Sequence, residues 1–209
     1  KPSIIFEDAE HTKLQNWLYR PFADYIFSSH TFRDTYGKKH QKYNGFDELA
    51  YLHPKYFKPN STILDEMNLS KNDNYILLRL VSWTASHDIG QSGFNFKNEN
   101  DLKDFIGIIE DYNCRLFISS EKKLPPIFEP YKVKIDPDKI HDVIYFAKIY
   151  IGEGATMASE AAILGTPSIY VSSIPLGYLD ELRDRYGLVH TCLGYDDALK
   201  IAKSLLSNP

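Results

Sequence analysis

Two short stretches of this 209-residue sequence hold residues whose types and spacing could do chemistry. In the first, Gly152, Glu153, Gly154, Ala155, Thr156 and Met157 are followed by Glu160, within the run YIGEGATMASEAAILGTPSIYV at residues 150–171. A glycine turn that ends a strand and opens a helix aims backbone N–H groups and the positive helix end out of the sheet, which suits a phosphate. Thr156 would present a hydroxyl in the first helical turn, and Glu160 lies four residues on along the same face. A carboxylate one turn beyond a phosphate can accept hydrogen bonds from both hydroxyls of a ribose. The plainer account is that the glycines only permit a sharp turn. In the second stretch, FEDAEH at residues 6–11, Glu7, Asp8, Glu10 and His11 stand where a strand ends and a helix begins. Four titratable groups within five positions can supply a general base tuned by burial. Acidic residues in a first helical turn are also ordinary.

Further candidates gather near these two. The loop SWTASHDIGQSGF at residues 82–94 is long for an α/β connection, and loops of that length are often functional. Its Ser82, Ser86 and His87, with Arg79 just before it, could give donors or positive charge to a diphosphate. His141 flanks an apolar helical stripe and could reach the same cleft, or be structural. Asp136-Pro137-Asp138 has the D-x-D form of a divalent-ion site. It reads more simply as a helix start, with Asp136 capping, Pro137 in the first turn and Asp138 favoured by the dipole. No other His, Cys, Asp or Glu spacing suggests a metal, so neither metal nor cofactor is expected beyond a donor substrate. A dinucleotide fingerprint is broken twice: Met157 replaces the third glycine, and Ser172 or Ser173 stands where the acidic residue should be. No P-loop pattern occurs.

The elements that must position these residues fall into two regions. From residue 75 onward, strand and helix patterns alternate, with strands at YILLRLVSW, RLFISS, YKVKI, IYIG and PSIYVSS. Helices lie at ENDLKDFIGIIEDY, DPDKIHDVIYFA, ATMASEAAIL, GYLDELRDRYG and DDALKIAKSLL. Such alternation implies right-handed crossovers and a parallel sheet covered on both faces, a Rossmann-like unit over residues 75–209. Its strands' carboxyl ends carry Ser82, Ser119-Ser120-Glu121, Asp136, Gly152-Glu153 and Ser172-Ser173, the edge where open parallel sheets bind ligands. Residues 1–60 read as two strands, a helix carrying Leu14, Trp17 and Leu18, a short helix and irregular chain. That is too little for a closed layer, so the stretch is expected to be the end of a domain begun earlier. Residues 61–74 read as a linker with a short helix around Ile63, Leu64 and Met67.

Composition excludes some classes. The chain is 43% hydrophobic and 25% charged, ordinary for a globular protein. Its net charge is −4 and its basic residues are scattered, so no nucleic-acid surface is expected. Cys114 and Cys192 lie far apart and read as buried hydrophobes in a reducing compartment. No apolar run approaches the ~20 residues of a membrane helix and no signal peptide opens the sequence, so a cytoplasmic location is expected.

Two segments, SIIFEDAEHTKLQNWLYRPFADYIFSS and KIHDVIYFAKIYIGEGATMASEAAILGTPSIYV, resemble an uncharacterised bacterial and archaeal family of GT-B-like candidate glycosyltransferases. That family is similar to the non-hydrolysing UDP-N-acetylglucosamine 2-epimerases and to the N-acetylglucosaminyltransferase that makes lipid II. The resemblance covers nearly the whole chain. It implies a GT-B-like α/β fold, with one complete Rossmann-like domain and the end of another. It implies that residues 152–157 bind UDP phosphates, that Glu160 binds the ribose, and that Glu7 or Asp8 is catalytic. The expected activity is metal-independent sugar transfer from a UDP-sugar to an unidentified acceptor in surface polysaccharide or glycolipid synthesis, where a lipid-linked acceptor would bring the protein to a membrane. A 2-epimerase-like isomerase and a non-catalytic nucleotide-sugar-binding module are the alternatives. The epimerases' H-x-E-A-G pattern is not kept and the usual glycine-rich first loop has no counterpart, so activity is expected of the full-length parent rather than of this chain. An unpaired strand edge in the amino-terminal part would favour a homo-oligomer.

Overall fold

The computed structural model describes residues 1–8, 10, 12–81, 93–96, 98–120 and 123–207. Two parallel sheets organise it. The larger has five strands: β4 (Asn74–Leu80), β5 (Cys114–Ser120), β6 (Ile149–Gly152), β7 (Ser168–Val171) and β8 (Val189–Cys192), in the order β5-β4-β6-β7-β8. The smaller contains β1 (Ile4–Phe6), β2 (Tyr25–Ser29) and β3 (His40–Tyr43) in chain order.

Period-two alternation builds the larger sheet. Ile76, Leu78 and Leu80 of β4 join Ile149 and Ile151 of β6 in one buried cluster, covered by α4 (Glu99–Glu110) and α8 (Gly194–Ser207). Tyr75 and Leu77 join Tyr150 in a second cluster on the opposite face. There α3 (Thr62–Glu66), α5 (Ile140–Phe146), α6 (Ala155–Ile163) and α7 (Gly177–Asp184) supply Ile63, Val143, Ala158, Leu179 and their neighbours. Each fully buried aliphatic chain contributes about 1.5–3 kcal/mol, so the two clusters dominate the stability of the molecule. The crossover after β4 runs over one face through α4 and the crossover after β6 over the other through α6. The crevice between the carboxyl ends of β4 and β6 is therefore the topological switch point, where open α/β sheets bind ligands.

Three expectations need correction. Residues 131–135 form no strand: after a 3-10 turn at Pro126–Tyr131, the segment makes only an isolated parallel bridge from Lys132 to Ile118. Tyr131 packs into one cluster while Val133 and Ile135 pack into the other, so the chain crosses the β5 edge instead of running along it. The helix expected from residue 136 begins as a 3-10 turn at Pro137–Lys139, and Asp136 makes no side-chain capping hydrogen bond. Strands β3 and β8 were not anticipated. Both are short edge strands of mixed polarity, HQKY and VHTC, with no apolar run to announce them.

The smaller sheet has a thin core of Ala23, Ile26, Phe32 and Tyr36, with Ile5 and Tyr19 beside it. Its helix α1 (Lys13–Tyr19) buries Asn16 and leaves Leu14 71% and Trp17 68% exposed. Polar ties seat it on α7. The Glu10 carboxylate accepts from Gly177 N–H (3.2 Å) and Arg33 N–H (2.6 Å), Arg33 pairs with Asp180, and His30 Nε2 meets Glu181 Oε2 at 2.8 Å. The Thr31 carbonyl comes so close to Gly177 that a Cβ there would overlap it. Helix α2 (Leu49–Leu52) packs against α6.

Candidate functional site

The glycine turn lies at the switch point. Gly152 closes β6, pairing with Arg79 of β4, and Gly154 occupies the N-cap of α6. Gly152 has a packing cause: a Cβ on it would overlap the Tyr150 hydroxyl and stand 2.9 Å from Arg79 Cβ. At Gly154 a Cβ would meet only Val81 and Tyr150 at ordinary contact distance, so that glycine leaves the backbone open rather than relieving a clash. The N-cap Gly154 brings no side chain to α6 and no acidic residue stands in the first turn, so its positive end is not neutralised from within the helix. Ala155 and Met157 are half-buried against the core, and Thr156 is exposed.

Within the turn, Glu153 fastens the chain. Its Oε2 accepts from Val81 N–H (3.0 Å) and its Oε1 from Phe94 N–H (3.1 Å). Gly93 is required for this, because a Cβ there would overlap the Glu153 carboxylate. Arg79 is half-buried on the α6 side of the sheet and donates to Ser119 Oγ at 2.8 Å. Ser82, Ser86, His87 and His11 lie outside the described residues.

Glu160 is 7% exposed, one turn beyond Thr156. Its Oε1 receives the Tyr51 hydroxyl at 2.9 Å and meets His141 Nε2 at 3.1 Å. The Tyr51 and His141 rings stand 5.5 Å apart, with Phe57 edge-on to His141. Burial, then the Glu160 charge, holds the Tyr51 phenol well above its ordinary range, so it remains a donor. Beside it, Ser159 of α6 donates to the Glu48 carboxylate.

Glu48 also lines a small cleft, with room of about 20 Å³, between the smaller sheet and α7. Glu7, Asp8, Glu10, Asp47 and Tyr178 line it as well. Burial pushes Asp47 up, with the Asp8 charge adding to it. Glu48 is likewise raised, by burial first, against the pull of the Ser159 hydrogen bond. Glu7 is buried and receives the Tyr19 hydroxyl, whereas Asp8 is exposed at the mouth. Among the described residues, no three His, Cys, Asp or Glu side chains are grouped to hold a metal ion.

The structure thus gathers Arg79, His141, Glu160 and residues 152–157 around one turn, and puts Glu7 and Asp8 in a cleft that reaches α6 through Glu48 and Ser159. Sequence reading missed Asp47, Glu48, Tyr51 and Tyr178. The available signal was Phe46-Asp47-Glu48-Leu49, an acidic pair opening a short helix, in a segment that otherwise read as irregular.

The family profile described as "Protein of unknown function (DUF354)" matches residues 1–194. No curated protein matches the chain in sequence. Among solved structures, the chain is similar to a Listeria monocytogenes protein assigned as a UDP-N-acetylglucosamine 2-epimerase, with a TM-score of 0.61 and 14% identity over 95% of this chain and 55% of that one. The same four values describe its similarity to S. aureus MnaA, solved with UDP. A glycosyltransferase of kitacinnamycin gives a TM-score of 0.51 and 9% identity, over 90% of this chain and 48% of that one. The chain therefore spans about half the length of these structures, and its fold is the GT-B-like α/β fold. Among the described residues, no helix is long and apolar enough to cross a membrane.

Proposed function

The chain belongs to the DUF354 family, and from that premise we propose that it forms the donor-binding part of a GT-B-like, metal-independent glycosyltransferase that uses a UDP-sugar. One observation carries the reading: a helix that starts on a glycine N-cap at the switch point has a buried carboxylate one turn along it, beside an acidic cleft. The backbone amides at residues 154–157 and the Thr156 hydroxyl hold the diphosphate, with Arg79 supplying positive charge. Glu160 takes the ribose hydroxyls, which exchange with the Tyr51 and His141 contacts on its Oε1. MnaA, solved with UDP in the same fold, supports that choice of nucleotide.

Across the cleft, Asp8 is the base. It is exposed where Glu7 is engaged by Tyr19, and it lines the same cleft as Asp47, whose carboxyl is raised by burial and then by the Asp8 charge. The acceptor hydroxyl oxygen attacks the anomeric carbon as its proton passes to Asp8. The carbon–oxygen bond to the diphosphate breaks, and UDP leaves with the electron pair, its charge met by the α6 amides. A lipid-linked or polysaccharide acceptor on the cytoplasmic side of a membrane is the setting proposed.

The test is transfer of radiolabelled sugar from UDP-sugars to candidate acceptors by the natural full-length protein. Labelled product that falls at least tenfold in Asp8→Asn and Glu160→Ala is expected. Epimerised donor formed without any acceptor would replace transfer with isomerisation, and UDP binding without turnover, indifferent to Asp8→Asn, would leave a binding module.

A further inference from the structure

Tyr150 is the second of the four residues of β6 and is 0% exposed. Its hydroxyl has no hydrogen-bond partner among the described residues. The buried tyrosines around it are served: Tyr75 donates to the Val143 carbonyl at 2.6 Å, and Tyr170 bonds with Ser172. A buried hydroxyl left unpaired is costly and calls for an explanation. Ser168 and Tyr43 share the condition, but Ser168 lies at the amino end of β7 and Tyr43 in the smaller sheet. Only Tyr150 stands at the ligand edge of the larger sheet.

Its oxygen occupies the volume that a side chain at residue 152 would fill, and lies 4.0 Å from where a Cβ on Gly154 would be. The hydroxyl therefore forms the inner wall of the glycine turn, at the start of the nine-residue helix α6. The charged groups felt there are Arg79, Glu160 and Glu153. Burial holds the phenol far above its ordinary range, so at neutral pH it keeps its proton and has it to donate.

We propose that the Tyr150 hydroxyl is a binding group of the turn, donating a hydrogen bond to a phosphate oxygen of an anion held at the amino end of α6. Gly152 is glycine so that this hydroxyl can reach the turn. The inference rests on the proposed function only for the anion's identity as the diphosphate of a nucleotide.

Tyr150→Phe removes one oxygen and nothing else. Thermal melting and calorimetry of this chain and the variant, titrated with inorganic pyrophosphate, UDP and uridine, test the proposal. Without ligand, the variant should melt at the same or a higher temperature. It should bind pyrophosphate and UDP about ten- to a hundredfold more weakly, as expected for loss of a hydrogen bond to a charged group, with uridine unaffected. Equal affinities for pyrophosphate and UDP in both proteins would overturn the proposal, as would a variant that melts well below wild type or a wild type that binds neither anion. UDP binding untouched in the variant leaves the nucleotide reading standing and sinks this one. Pyrophosphate binding lost in the variant, with no UDP bound by wild type, does the reverse.

Discussion

The two sheets are made of the same parallel βα units, yet they hold together differently. The larger is closed on both faces by apolar clusters that run its full width. The smaller has four buried core residues and leaves Leu14, Trp17 and Phe22 in solvent. What fixes the smaller sheet is a set of polar ties to α7, through Glu10, His30 and Arg33. The lesson concerns positioning. The nucleotide-binding candidates are placed by the core of their own sheet, whereas Asp8 and its neighbours are placed by a docking surface.

Breaking that surface should have the largest effect. In Gly177→Ala the added methyl overlaps the Thr31 carbonyl, which is backbone and cannot swing aside. The expected cost is about 1–3 kcal/mol, as for overpacking elsewhere. Hydrogen exchange should accelerate in β1, β2 and β3 while β4 to β8 keep their protection. Equal acceleration in both sheets would show a single cooperative unit and erase the contrast.

A second, intermediate effect sharpens the comparison at the cleft. Glu48 and Asp47 have folded-state pKa values raised above the ordinary carboxylate value of about 4. Between the ordinary and raised values the folded state binds more protons than the unfolded one, so this part of the stability is present at low pH and lost as pH rises through the folded-state pKa. Thermal melting across that interval should show the slope, and Glu48→Gln should flatten it, since glutamine still accepts from Ser159 but carries no charge to bury. An unchanged slope in the variant would mean that Glu48 is not the group responsible.

The smallest effect belongs to the exposed face of α1. Changing Leu14 and Trp17 to lysine should move folding stability by no more than about 0.5 kcal/mol each. It should reduce any self-association seen by sedimentation at high concentration, because the face is apolar. Association that survives both changes would have to arise elsewhere.

Legibility in the sequence followed the same division. The larger sheet was readable because its strands are buried on both faces and announce themselves as apolar runs, from YILLRL to SIYV. β3 and β8 were not, because edge strands with half-exposed polar residues lack that signal. YKVKI misled in the other direction, since its alternation is real but its side chains serve opposite faces of the sheet. In the candidate site, the position of the glycine turn between β6 and α6, and of Glu160 one turn along that helix, was legible from spacing. The roles of Glu10, Glu153 and Tyr51 depend on partners 167, 72 and 109 positions away, which no local pattern encodes.

The Glu153 clamp has a consequence for how such a protein can diversify. By gripping the amides of Val81 and Phe94, one carboxylate ties the end of β4 and the approach to α4 to the turn that opens α6. A change at residue 153 loosens both attachments at once, so this one side chain constrains how the rim of the sheet can vary.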